Sequence, residues 1–145
     1  MDHIKPEMNI KKCVLIIDHT QPTGIIANTA SVLSITLGKC TENIIGHDVY
    51  DRQGEKHPGI TQIPIPILGA TADKIKEIRK NILSLPIEDM VVVDFSDIAQ
   101  QSKTYDHYES TMLMADENHI RYIGIALYGD KKIINKATGN LSLIR

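Results

Sequence analysis

Residues of this chain that could do chemistry gather at two points. The first is "DHTQPTG", where Asp18, His19, Thr20, Thr23 and Gly24 follow a run of aliphatics, with Asn28 a turn further on. The second is Asp94, which closes the run "VVVD". From Thr20 to Gly38 the sequence is formally neutral. A helix opening at Thr23 would present the free N–H groups of Thr23, Gly24 and Ile25 together with a partial positive charge. Such a terminus receives a small anion, or the oxygen of a polarised carbonyl. Asp18, His19, Thr20 and Asn28 would line the rim, and Gly24 would let a ligand approach the backbone closely. On a plainer reading, Thr23 is the helix N-cap and Gly24 merely permits the turn. Asp94 is a candidate catalytic base or water-positioning group for ester or amide hydrolysis. Alternatively it caps the segment that begins at Phe95, as Asp97 could also do.

Other reactive side chains carry less. His47, Asp51 and His57 cluster around a turn-rich loop, but their spacing matches no metal-ligand pattern, and surface histidines explain them. Neither a metal nor a cofactor is called for. Cys13 falls inside an apolar run and reads as a core residue. Cys40 follows a helix C-terminus, where the dipole disfavours a thiolate. Tyr105 and Tyr108, at i and i+3, read as packing rather than as a stacking platform.

The elements that must position these groups alternate. "KCVLII" is a short continuous apolar run, as in a strand covered on both faces. The helix that follows runs to about Leu37 and ends at Gly38, with Ile26, Ala30, Leu33 and Leu37 on one stripe. "ITQIPIPIL" is extended, and Pro64 and Pro66 assign it to a sheet edge or a crossing strand. "TADKIKEIRKNILSL" is an amphipathic helix with Ile75, Ile78, Ile82 and Leu85 inward and Pro86 as its stop. "DMVVVDF" and "IRYIGIALYG" are two more strands. Between them lies a helical stretch broken near 102–104, and a last short helix runs from an Asp130 cap to Gly139. The order predicts a single α/β domain over 1–145, a small mixed sheet with helices on both faces, and residues 1–10 as a loose N-terminal segment.

Three segments, in order, carry a resemblance. "KKCVLIID…TGIIANTASVLSITLG" is similar to the first strand and helix of the type 2 peptidyl-tRNA hydrolases, where a Gly-Lys-hydrophobic-Ala-x-Gln pattern opens the helix. "MVVVDFSD" looks like their third strand, with Asp94 at the place of a functional aspartate. "KIINKATGNLSLIR" is similar to their Val-Thr-Gly-Asp-Leu-x-Leu ending. The whole chain, with "DVYDRQGEKHPGI" and "TYDHY", resembles still more an uncharacterised bacterial family of the same superfamily. The resemblance implies a peptidyl-tRNA hydrolase-like fold and, in part, a homodimer built through wide apolar helix faces. The hydrolases' helix-opening Lys falls on Ile25, their Gln on Thr29 and their later His on Val32, so of the chemical set Asp94 remains.

Composition narrows the function classes. The 145 residues are 42% hydrophobic and 23% charged with net charge −2; Trp is absent and Phe occurs once, so the core must be aliphatic. The basic residues are dispersed, and the densest group, Lys74, Lys76, Arg79 and Lys80, alternates with Asp73 and Glu77 along one helix. Such a distribution disfavours a nucleic-acid partner. "GIIANTASVLSITLG" is too short to span a bilayer. Two cysteines, and no apolar run in "MDHIKPEMNI", point to the cytoplasm. The function expected is binding of a small polar or anionic molecule at the first helix's N-terminus. The alternative is hydrolysis of an ester or amide with Asp94 as base.

Overall fold

A computed structural model describes residues 10–145; all of the expected loose segment but Ile10 lies outside them. Its centre is β1 (Lys11–Asp18), buried from Cys13 to Asp18 as its unbroken apolar run predicts. Long β6 (Tyr122–Asp130) lies antiparallel on one side of it and β4 (Ile67–Ala70) parallel on the other. β5 (Val91–Ser96) flanks β6 and β7 (Ser142–Leu143) flanks β4, giving the mixed order β5-β6-β1-β4-β7. A two-stranded hairpin of β2 (Val49–Tyr50) and β3 (Lys56–His57) stands apart.

Strand alternation sorts the helices onto two faces. On one face Cys13, Leu15, Phe95, Ala126 and Tyr128 meet Leu33 and Leu37 of α1 (Thr23–Cys40). On the other, Val14, Ile16, Ile125 and Leu127 meet Ile75, Ile78 and Ile82 of α2 (Ala72–Leu83) and Ile134 of α5 (Lys131–Thr138). α3 (Asp97–Gln101) and α4 (Tyr105–Met114) follow β5, separated by the break at 102–104 that the sequence predicts. Among the described residues no helix is long and apolar enough to cross a membrane.

Several local readings change. α1 begins after Pro22, which stands at the N-cap with no side-chain cap, so Thr23 is the first helical residue and not the cap. Gly38 lies inside the helix, which continues to Cys40, because its φ is helical and nothing at that point breaks the hydrogen-bond ladder. β4 is not an edge: Pro64 and Pro66 fall just before it, and the Pro66 carbonyl accepts from Leu15 N at 3.0 Å, a bond that asks nothing of the missing proline N–H. α2 ends at Leu83, two residues short of Leu85, which is exposed; Thr71 caps it through Lys74 N. Asp130 caps α5 through the amides of Lys132 and Ile133, as expected.

How closely α1 approaches the sheet is set by Gly124. A Cβ there would lie 2.8 Å from Thr29 Cγ2 and 3.2 Å from Leu33 Cδ1, so a larger residue would push the helix outward. Gly124→Ala is expected to cost roughly 1–3 kcal/mol by overpacking, read as a lower midpoint in urea. The Thr29 hydroxyl is buried without a partner among the described residues. Adding Thr29→Ala therefore removes the struck methyl without breaking a hydrogen bond, and should restore part of the loss. An unchanged midpoint in the single variant would refute this account of the packing.

Candidate functional site

At the tip of β1 alternation turns the side chain of Asp18 away from α1, toward the α2 face, since Cys13 and Leu15 pack with α1 and Val14 and Ile16 with α2. The carboxylate is 1% exposed. It accepts from Thr20 N at 3.0 Å, Thr20 Oγ1 at 2.7 Å and Gln21 Nε2 at 3.3 Å, and Arg121 stands 3.8 Å away. Burial by itself would raise its pKa; the Thr20 and Gln21 donors and the Arg121 charge outweigh burial and hold it below the ordinary value of 3.8. With Gln21 N donating to Asp18 O at 3.2 Å, these bonds close the turn that delivers the chain to Pro22. Asp18 and Thr20 thus build the turn, and their polar atoms are occupied in doing so.

Above that turn, the first intrahelical bond of α1 is Ile26 N to Pro22 O at 3.0 Å, which leaves the amides of Thr23, Gly24 and Ile25 outside the ladder. Gly24 has no positive φ, so the turn does not need a glycine; its contribution is open space, with no atom of the described residues within 4 Å of where a Cβ would sit. Before the helix lies a cleft of about 710 Å³. His19, Gln21, Thr23 and Ile26 form one wall, and the segment from Asn140 to Arg145 forms the other, with Gly69 between them. Arg145 has no ion-pair partner among the described residues.

His19 is held firmly. Its Nδ1 lies 2.9 Å from Ala70 O, and a carbonyl only accepts, so Nδ1 donates there, and Nε2 has no partner among the described residues. A Cβ on Gly69 would lie 3.1 Å from His19 Cβ and 3.3 Å from Ile144 Cγ1, so the glycine lets imidazole and tail close over β4. Ile144 N donates to Ile67 O at 2.9 Å and β7 pairs with β4, which holds the second wall in place.

Of the six ligand-binding residues expected from the sequence, His19 and Thr23 line this cleft and Gly24 sits beside it, while Asn28 is exposed further along α1. Asp94 is elsewhere. β5 continues to Ser96, so Asp94 is inside the strand rather than at its end, and Ser96 caps α3 through Ala99 N. Since Val93 and Phe95 pack toward α1, Asp94 points to the opposite face, where Arg79 of α2 reaches Oδ2 at 3.3 Å. The same guanidinium lies 3.9 Å from Glu117 and stacks 4.6 Å from the Tyr122 ring centre. Burial pushes the Tyr122 phenol up to about 12, against Arg79's pull, and its hydroxyl donates to Glu117 at 3.0 Å. Neither His19 nor Asn28 is within hydrogen-bond reach of Asp94, so the hydrolytic pairing has no partner here.

The remaining candidates are structural. His57 Nε2 and Asp51 Oδ2 are 2.9 Å apart, and Asp51 also accepts from Gln53 N and Glu55 N, so this pair shapes the β2–β3 hairpin. Burial pushes the Cys13 thiol up to about 11, which makes it inert. Gln21 and the 140–145 wall were not among the residues expected in the site. The tail's only mark in the sequence was the "TGNLSLIR" match.

Residues 11–145 match the model of DUF2000, described as a protein of unknown function. The chain belongs to that family. Among solved structures it is similar to Atu0240, a protein of unknown function from Agrobacterium tumefaciens strain C58. The TM-score is 0.82 at 18% identity, covering 92% of this chain and 97% of that one. No curated protein matches the sequence. At that identity the likeness bears on fold, and both descriptions leave the activity open.

Because the folded pKa of Asp18 is lowered, its stabilisation is complete above the ordinary carboxylate value of 3.8 and is lost as pH falls through the folded value. Asp18→Asn should cost roughly 1–3 kcal/mol at pH 7 and flatten the acid limb of the stability profile relative to wild type. Parallel acid limbs in the two proteins would show that this carboxylate is not held as described.

Proposed function

We propose that this DUF2000 chain binds a small polar or anionic molecule in the cleft before α1. One observation carries the reading: the uncapped first turn of α1 opens onto a cleft whose far wall holds the unpaired cation Arg145. Backbone N–H groups at a helix start and a guanidinium together suit a carboxylate or phosphate group. The cleft's two hydroxyls, Thr23 and Ser142, make no hydrogen bond to His19 among the described residues, which favours binding over hydrolysis in this reading.

An architecture of the peptidyl-tRNA hydrolase kind is part of the same reading. It is supported by the way the three resembling segments fall: β1 with α1, then β5, then α5 with β7, all in one sheet. Cytoplasmic residence and self-association complete it. The homodimer is supported by exposed apolar side chains on α1, among them Ile35 at 77%.

Inorganic phosphate and citrate are the first probes, followed by a panel of metabolite carboxylates and phosphates. A ligand at a hundred times its Kd stabilises by about 2.7 kcal/mol, a rise in Tm of roughly 5–10 °C for a chain this size. Thr23→Asp places a negative charge in the first turn, where it supports the helix and repels an anion, and should abolish the rise without lowering the basal Tm. A panel without any shift, or a shift that Thr23→Asp leaves intact, would overturn the reading. For the dimer, light scattering should give twice the chain mass, and Ile35→Asp should halve it; a monomeric wild type refutes the association.

A further inference from the structure

Along the outer side of β5 runs a groove of about 450 Å³, independent of the α1 cleft. Val32 and Thr36 of α1 form one bank, and Tyr105 and Tyr108 of α4 form the other. The floor is the strand itself at Val93, Asp94 and Phe95. Asp94 is the one acid of this lining, about a quarter exposed. Its Oδ2 meets Arg79, while Oδ1 has no donor among the described residues. Arg79 is shared with Glu117, so one guanidinium faces two carboxylates, while Lys76 Nζ is held on the backbone carbonyls of Glu117 and Ile120. The tyrosine rings stand edge-to-face, with centres 5.5 Å apart, and neither hydroxyl has a hydrogen-bond partner among the described residues. Burial pushes the Tyr108 phenol up, and the neighbouring Asp94 charge adds to the effect.

We propose that this groove is a second binding site, for a small organic ammonium ion carried on an apolar body, where the free oxygen of Asp94 and the Tyr105–Tyr108 pair line one hollow. The oxygen supplies a charge-assisted acceptor, and the two ring faces attract a cation through their quadrupoles. Val32, Val93 and Phe95 provide an apolar bed for the rest of the molecule. A metal ion does not suit the place, since no cluster of three His, Cys, Asp or Glu side chains exists among the described residues. An anion would meet the charge of Asp94, the one acid of the lining. Lys103 lies exposed at the rim and works against a cation, so it makes a built-in control.

The test uses 2-phenylethylammonium chloride, with 2-phenylethanol as its neutral counterpart, each titrated into the full chain to about 10 mM, the range of weak fragment binding. Amide NMR shifts are followed throughout. The ammonium compound should move the signals of Val32, Val93 to Phe95 and Lys103 to Tyr108, and the alcohol should bind at least roughly tenfold more weakly. Tyr105→Ala, at an exposed position, should weaken binding roughly 3- to 10-fold, and Lys103→Ala should tighten it. Asp94→Asn should abolish the preference for the ammonium over the alcohol, its fold being checked in the same spectra. Equal binding of the two compounds to wild type overturns the proposal without any variant. Shifts located elsewhere, no shift at all, or weaker binding to Lys103→Ala do the same.

Discussion

Asp18 is a carboxylate with almost no exposed surface at the end of the most buried strand, and a charge in that place must be met by donors. Thr20 and Gln21 meet it from the next three residues, so the neutralisation is local and bends the chain into one defined turn. That turn fixes where Pro22 stands and therefore where α1 begins. Because Asp18 points to the α2 face, its own negative charge is spent beneath the helix start rather than plugging it. A one-residue slip of β1 would reverse this, and would also turn Leu15 and Ile16 to the wrong sides.

The sheet divides the molecule's electrostatics as well as its core. α1 carries no charge before Lys39 and lies close against β6, a contact that Gly124 makes possible. α2 is the charged helix, and one of its cations, Arg79, gathers Asp94, Glu117 and Tyr122 on the opposite face. A carboxylate read as a base is thereby half of an ion pair with one free oxygen. The two proposed sites border the same helix, the anion cleft at the mouth of α1 and the Asp94 groove along its side at Val32 and Thr36.

Much of the fold was legible because its signals are local. β1 shows as an unbroken aliphatic run, α2 as isoleucines at helical spacing, and α5 as an Asp cap followed by a short amphipathic stretch. The break at 102–104 shows as polar residues between two helical patterns. Misreadings arose where two local signals compete. At the start of α1, Pro22 and Thr23 both suit a helix entrance, and proline's fixed φ made it the cap position although threonine is the better capping side chain. At "IPIPIL" the prolines suggested an edge, yet their missing donors face no strand that needs them.

The site was only half visible. His19 and Thr23 sit near each other in the chain and both reach the cleft, so sequence alone determined one wall and the helix mouth between aliphatic strand and neutral helix. The tertiary structure decided the other wall, since Asn140 to Arg145 arrive from more than a hundred residues away through the pairing of β7 with β4. It also decided the fate of Asp94, whose partner Arg79 comes from a helix on the far face. Burial pattern and turn chemistry act between neighbours and are written in order along the chain. Strand order and the meeting of charges across a sheet depend on how separate segments pack, and no single segment records that.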